Sequence, residues 1–143
     1  MGTVRLEIAL AVPLRDGAVL LARRRSDAHQ GALWEFPGGK LETGESPAEA
    51  AARELSEETG LRAARLQSLL KLEHDYPDRT VRLHVFLAFD CAGELSIDGG
   101  REHAWVEASE LAAFEMPAAN RPIVEAVVAA LSDRVRAIDE GDR

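Results

Sequence analysis

Between Ser46 and Gly60 the chain carries a full set of helix start and stop signals, and no other segment restricts its own conformation so tightly. Ser46 is an N-cap residue, Pro47 suits the first helical position, and Glu49 stands where the second half of a capping box belongs. Strong helix formers dominate Ala48 to Glu58, and Gly60 falls where a left-handed residue ends a helix. The spacing predicts a helix over Pro47–Thr59. It also puts Glu54, Glu57 and Glu58, at i, i+3 and i+4, on one face. Like charges so placed repel and weaken a helix. A hard divalent ion, Mg²⁺ or Mn²⁺, would relieve that repulsion, and such ions share their coordination with substrate phosphates. A solvated acidic face is the ordinary alternative, and the glutamates alone leave it open.

The segment Gly38-Gly39-Lys40-Leu41-Glu42-Thr43-Gly44-Glu45 precedes this helix and reads as a glycine-bearing turn. Glycines allow a backbone to approach a ligand closely, and Lys40 could neutralise a phosphate. By itself the segment is more readily a plain strand-to-helix connection.

The rest of the chain reads as strands and one more long helix. Val4 to Leu14 is an apolar run with Arg5 and Glu7 at alternate positions, as in a strand exposed at one end. Asp16-Gly17 suits a tight hairpin leading to a returning strand, Ala18 to Arg23. A short apolar segment, Leu33 to Phe36, follows a polar loop. Past the first helix, two longer strands are expected at 64–76 and 80–91, joined by a turn at Pro77-Asp78-Arg79. Ala104 to Val106 reads as a short strand and Ser109 to Phe114 as a short helix. A second long helix is expected from Pro122 to about Arg136, with Ile123, Val127, Ala130 and Leu131 on one side. The order of elements indicates an α+β domain with a mixed sheet between helices. We expect a single domain over 1–137 and a polar tail over 138–143, frayed from Asp139.

Composition narrows the class of partner. A net charge of −8, from 25 acidic against 17 basic residues, argues against binding duplex nucleic acid. No apolar run is long enough to span a bilayer, and the first residues lack the pattern of a secretory leader. With Cys91 as the only cysteine, no intrachain disulfide can form, and a packed thiol is the expected role. A cytoplasmic monomer without membrane partners is the expectation.

Taken together, Gly39, Glu45, Arg53, Glu54, Leu55, Glu57, Glu58, Gly60 and Leu61 match the Nudix box, G-x5-E-x7-R-E-U-x-E-E-x-G-U, at every fixed position across 23 residues. The chain therefore resembles the Nudix hydrolases. The resemblance implies a Nudix fold, a mixed β-sheet sandwiched between helices (α/β/α) with a loop–helix–loop box, and an Mg²⁺-dependent enzyme that cuts a phosphoanhydride bond. It implies that Glu54, Glu57 and Glu58, with the backbone carbonyl of Gly39, hold the metal. Arg53 would orient the carboxylates, Glu45 would be structural, and Glu54 would be the general base, with Arg53 and Glu57 also catalytic.

Outside the box the chain is similar to the MutT branch, which hydrolyses 8-oxo-dGTP to the monophosphate and pyrophosphate. That likeness rests on Arg24 with Asp27-Ala28-His29, on Trp34 to Lys40, on Tyr76-Pro77-Asp78-Arg79, and on Pro117 to Pro122. It implies nucleotide contacts from Arg24, His29, Phe36, Lys40, Tyr76, Arg79 and Asn120. Asn120 offers a donor and an acceptor to a purine edge, and capping the next helix is its alternative role. The chain departs from the branch at Gly99, where a further metal-binding glutamate is expected, so Glu102 or Asp98 would have to serve. Other substrates of the same enzyme class remain open: a CTP-type nucleotide, a dinucleoside polyphosphate or a nucleotide sugar. A non-catalytic domain that senses a nucleotide is the alternative from another class, and the intact box argues against it.

Overall fold

The computed structural model describes residues 4–24 and 33–141. The strands are β1 (Val4–Arg15), β2 (Ala18–Arg23), β3 (Trp34–Glu35), β4 (Gly38–Lys40), β5 (Arg65–Asp75), β6 (Arg79–Phe89) and β7 (His103–Glu107). Two helices, α1 (Pro47–Thr59) and α2 (Arg121–Gly141), complete the frame, with short 3₁₀ turns at Asp98–Gly100, Ala108–Ala113 and Ala118–Asn120.

β1 is the spine of a mixed sheet. Along one edge it runs parallel to β6, from Val4 beside Arg79 to Pro13 beside Ala88. Its other edge is shared: Ile8 to Leu10 pair antiparallel with β4, and Leu14 and Arg15 with β2. The β1–β2 hairpin turns at Asp16 and Gly17, both at positive φ, as the sequence predicts. β5 and β6 form the second hairpin, closed by reciprocal backbone hydrogen bonds between Tyr76 and Arg79.

Alternation along β1 divides the core into two layers. Ala9 and Ala11 face α1 and pack with Ala50, Ala51, Leu55 and Leu61. Small residues on both sides bring the helix close to the strand. Val12 and Leu14 face the other way and pack with Val85, Leu87, Ile123 and Val127, the last two from α2. The sheet thus lies between α1 and α2, the layered α+β arrangement expected. Among the described residues no helix is long and apolar enough to cross a membrane. Cys91 is a buried free thiol, and burial pushes its pKa up.

α1 has the caps its sequence calls for. Ser46 accepts from the Glu49 amide at 3.1 Å, and the Glu49 carboxylate accepts from the Ser46 amide at 2.9 Å. Gly60 closes the helix at φ 77°, and a β carbon there would lie 2.8 Å from the Glu94 carbonyl.

Two sequence expectations are corrected. Gly38-Gly39-Lys40 is a strand, not a turn; its backbone bonds to β1, and a glycine pair can do so under a crowded helix because it has no side chain to fit. α2 spans Arg121–Gly141, past the expected end near Arg136, so Asp139, Glu140 and Gly141 are helical. Nothing from Ala137 to Glu140 breaks a helix. The short helix expected at Ser109–Phe114 is present as a 3₁₀ helix over Ala108–Ala113.

Candidate functional site

β4 delivers Gly39 to the foot of α1. A β carbon on Gly39 would lie 2.5 Å from Glu54 Oε1, so the carboxylate rests directly against the strand backbone. One turn further on, Glu58 Oε2 accepts the Gly38 amide at 2.7 Å. Both carboxylates are largely buried, at 16% and 19% side-chain exposure, whereas Glu57 is 58% exposed. The glutamate face predicted from spacing is therefore graded, with two acids against the β4 backbone and one at the rim.

Arg53 organises this face. Its Nε and Nη2 form a bidentate pair with Glu45, at 2.8 and 3.0 Å. Nη1 donates to Glu54 Oε1 at 3.0 Å and to Glu57 Oε2 at 3.1 Å, and Nη2 also reaches the Lys40 carbonyl at 3.0 Å. The pair with Arg53, supported by the Glu42 amide, holds the Glu45 carboxyl below the usual carboxylate range. The hydrogen bonds that Arg53 donates to Glu45 in turn push the Arg53 pKa up. Glu58 is shifted the other way. Burial pushes its pKa up to about 8; the Gly38 amide opposes the shift, and Glu54 and Glu35 add to it.

These observations test whether the site fits a divalent cation. Among the described residues no three acidic, histidine or cysteine side chains converge into a ready-made cage. The donor chemistry nevertheless fits. All candidate ligands are oxygens, Glu54 sits in a cradle that a side chain at position 39 would fill, and Glu58 is a buried carboxylate whose charge needs a positive partner.

A cavity of about 250 Å³ opens beside β4, lined by Ile8, Leu10, Arg24, Glu35, Phe36, Gly38, Gly39, Leu83, Pro117 and Asn120. It touches the glutamate face at Gly38 and Gly39. A larger cavity of about 460 Å³ lies where α2 begins, around Leu111, Phe114, Met116 and Val124, but no residue of α1 lines it. The smaller one is the better candidate, because a ligand in it reaches the carboxylates.

Of the sequence-derived nucleotide contacts, Arg24, Phe36 and Asn120 line this cavity. Phe36 is buried, and Asn120 immediately precedes α2 without a side-chain hydrogen bond to another described residue, so capping does not occupy its amide. Three others are not brought there. Lys40 is exposed on β4. Tyr76 and Arg79 lie at the tip of the β5–β6 hairpin, where the guanidinium stacks 5.5 Å from the Tyr76 ring centre. The register sets Arg79 beside Val4, four residues from Ile8, roughly 13 Å along the strand. His29, with Asp27 and Ala28, lies outside the described residues.

The two stand-in carboxylates are not at the glutamate face either. Glu102 is exposed and accepts from Arg23 Nη1 at 2.7 Å, while Asp98 is exposed and offers its carbonyl to Arg101 Nε at 3.2 Å. A cation came instead of an acid: Arg101 Nη1 donates to Glu35 Oε1 at 3.0 Å, and its Nη2 lies 3.7 Å from Glu58 Oε1. Arg24 donates to the other Glu35 oxygen at 2.7 Å. Sequence reasoning missed Glu35 and Arg101. A charge between Trp34 and Phe36 in a short apolar segment was the available signal for Glu35; Arg101 had none.

Residues 8–126 match the NUDIX domain family. The chain is 36% identical to the 8-oxo-dGTP diphosphatase of Escherichia coli over 84% of its own length and 94% of that protein. It is 33% identical to the CTP pyrophosphohydrolase of the same organism, over 87% and 92%. Among solved structures, the Escherichia coli ORF135 protein superposes with a TM-score of 0.79 at 31% identity, covering 92% of this chain and 94% of that one.

Proposed function

This chain belongs to the NUDIX domain family, and on that premise we propose that it is a Mg²⁺-dependent pyrophosphohydrolase of nucleoside triphosphates, acting on 8-oxo-dGTP to release 8-oxo-dGMP and pyrophosphate. The observation that carries this reading is the contact between the two halves of the site: Gly38 and Gly39 line the cavity on one side and bear on Glu58 and Glu54 on the other. A base in the cavity would leave its phosphates at the glutamate face.

In this reading Glu54, Glu57 and Glu58, with the Gly39 carbonyl, hold Mg²⁺; Mn²⁺ would satisfy the same oxygens. A cation held there would supply positive charge to offset the phosphates and would make an attacking water easier to deprotonate. Arg53 fixes Glu54 through Oε1, leaving Oε2 to take the proton of the attacking water. The water oxygen bonds to phosphorus as the bridging P–O bond breaks, and pyrophosphate leaves. Phe36 offers the base an apolar wall, Asn120 a donor and an acceptor, and Arg24 a positive charge. We place the enzyme in the cytoplasm as a monomer, where it would remove oxidised nucleotides before their incorporation into DNA.

A second substrate reading has its own support. The likeness to the CTP pyrophosphohydrolase covers as much of the chain as the likeness to the 8-oxo-dGTP diphosphatase. Measuring pyrophosphate release from 8-oxo-dGTP, dGTP, CTP and dCTP under Mg²⁺ decides between them. The highest kcat/KM should fall on 8-oxo-dGTP. A preference for cytidine nucleotides overturns the substrate and keeps the chemistry; no release from any of them overturns both.

A further inference from the structure

Arg101 is the best-anchored charge near the glutamate face that the proposed chemistry leaves unused. Its side chain is 14% exposed. Nε donates to the Asp98 carbonyl at 3.2 Å, and Nη1 to the Arg23 carbonyl at 3.2 Å and to Glu35 at 3.0 Å. With Nε and Nη1 committed, the guanidinium is held by two backbone segments and one carboxylate. The remaining nitrogen, Nη2, faces Glu58 Oε1 at 3.7 Å, too long for a hydrogen bond but within ion-pair range. Glu58 also has the Gly38 amide as a partner. The charge Glu58 carries when ionised is thus already partly offset from two sides.

We propose that Arg101 tunes the cation affinity of the glutamate face: it is a positioning residue whose fixed positive charge beside Glu58 weakens the binding of a free divalent ion. The inference rests on the reading of Glu54, Glu57 and Glu58 as cation ligands. Two positive charges sharing one carboxylate repel, and in a partly buried setting water screens that repulsion poorly. Because three hydrogen bonds hold Arg101, it cannot swing away without leaving the Asp98 and Arg23 carbonyls and Glu35 short of a donor. Glu35 works against it. Its carboxylate sits between Arg101 and Arg24 and lowers the net positive charge that Glu58 feels.

Opposite substitutions on this network should therefore move the affinity in opposite directions. The test is titration of the intact protein with Mn²⁺ alone, counting free ion by its electron paramagnetic resonance signal. Arg101→Met removes the charge and keeps most of the length; it should bind Mn²⁺ at least about fivefold more tightly, the lower end of coupling between linked sites. Arg101→Lys keeps the charge and should stay near the wild type. Glu35→Gln leaves Arg101 less compensated and should bind more weakly. A purely structural arginine gives another pattern: Arg101→Met would bind no better than wild type, and lysine would not rescue it. That pattern overturns the inference. Should Arg101→Met fail to fold, Glu35→Gln still decides, and unchanged or tighter Mn²⁺ binding in it overturns the inference. If the wild type binds Mn²⁺ but the variants do not follow these directions, only the role of Arg101 is lost. If the folded wild type binds no Mn²⁺, the cation reading of the glutamates fails and the inference falls with it.

Discussion

Gly39 and Glu54 touch so closely that a β carbon on residue 39 would lie 2.5 Å from Glu54 Oε1 and 2.7 Å from its carboxyl carbon. Gly39→Ala must therefore push the carboxylate out of its place or move β4. Turnover should fall by about tenfold or more, equivalent to ~1.4 kcal/mol of lost transition-state stabilisation. Steady-state kinetics beside a urea melt checks this. A folded variant with unchanged kcat would show that the close approach has no part in catalysis.

Thr59 ties the end of α1 to the chain that follows. It is 1% exposed; its hydroxyl donates to the Leu55 carbonyl at 2.6 Å and accepts from the Leu61 amide at 3.1 Å. Thr59→Val keeps the shape and leaves the buried Leu61 amide unpaired. The expected loss is roughly 1–3 kcal/mol of unfolding free energy, read from a urea titration. A shift within experimental error would mean that the amide finds another partner.

Acid stability should depend on Glu7. Its carboxylate lies 3.0 Å from His84 Nε2 and 3.6 Å from Arg82; the hydrogen bond with His84 above all, with the guanidinium groups of Arg82 and Arg5, holds its pKa below the ordinary glutamate range against the opposing effect of burial. A depressed carboxylate contributes stability that is fully present above the unfolded pKa and is lost as pH falls through the folded one. Melting temperature should thus decline below about pH 4.5 less steeply in Glu7→Gln than in wild type, while the variant starts lower at neutral pH. Parallel pH profiles for the two proteins would refute the assignment.

Asn120 lines the cavity and its amide has no hydrogen bond to another described residue, so its removal should alter base preference and not metal dependence. The oxidised guanine carries a proton on N7 where guanine has a lone pair. A carboxamide oxygen facing N7 accepts from the first and meets an acceptor in the second. One such contact is worth roughly 1–3 kcal/mol, about tenfold to a hundredfold in relative kcat/KM. Asn120→Ala should lose that ratio mainly on 8-oxo-dGTP. An unchanged ratio would remove Asn120 from base recognition.

Local chemistry was enough for some of this. α1 was legible to the residue, because a capping box, a first-turn proline and a C-terminal glycine each act within a few residues of chain. The same holds for the Asp16-Gly17 hairpin and for the glutamate face, since helical spacing alone puts Glu54, Glu57 and Glu58 together. β4 was misread because Gly38-Gly39-Lys40 has no strand character of its own; it becomes a strand only where Ile8 to Leu10 supply an edge to pair with.

The sequence by itself determined the layered α+β class, through the order of its elements, and the resemblance to the family, through the box from Gly39 to Leu61; helical spacing put Glu54, Glu57 and Glu58 on one face. Only the tertiary structure decided what surrounds those acids. Arg101 reaches Glu35 and Glu58 across 66 and 43 positions of chain, while Tyr76 and Arg79, though they belong to a segment that resembles the family, end at the far tip of a hairpin. Strand register and the packing of distant segments set such meetings, and no local pattern of residue types encodes them.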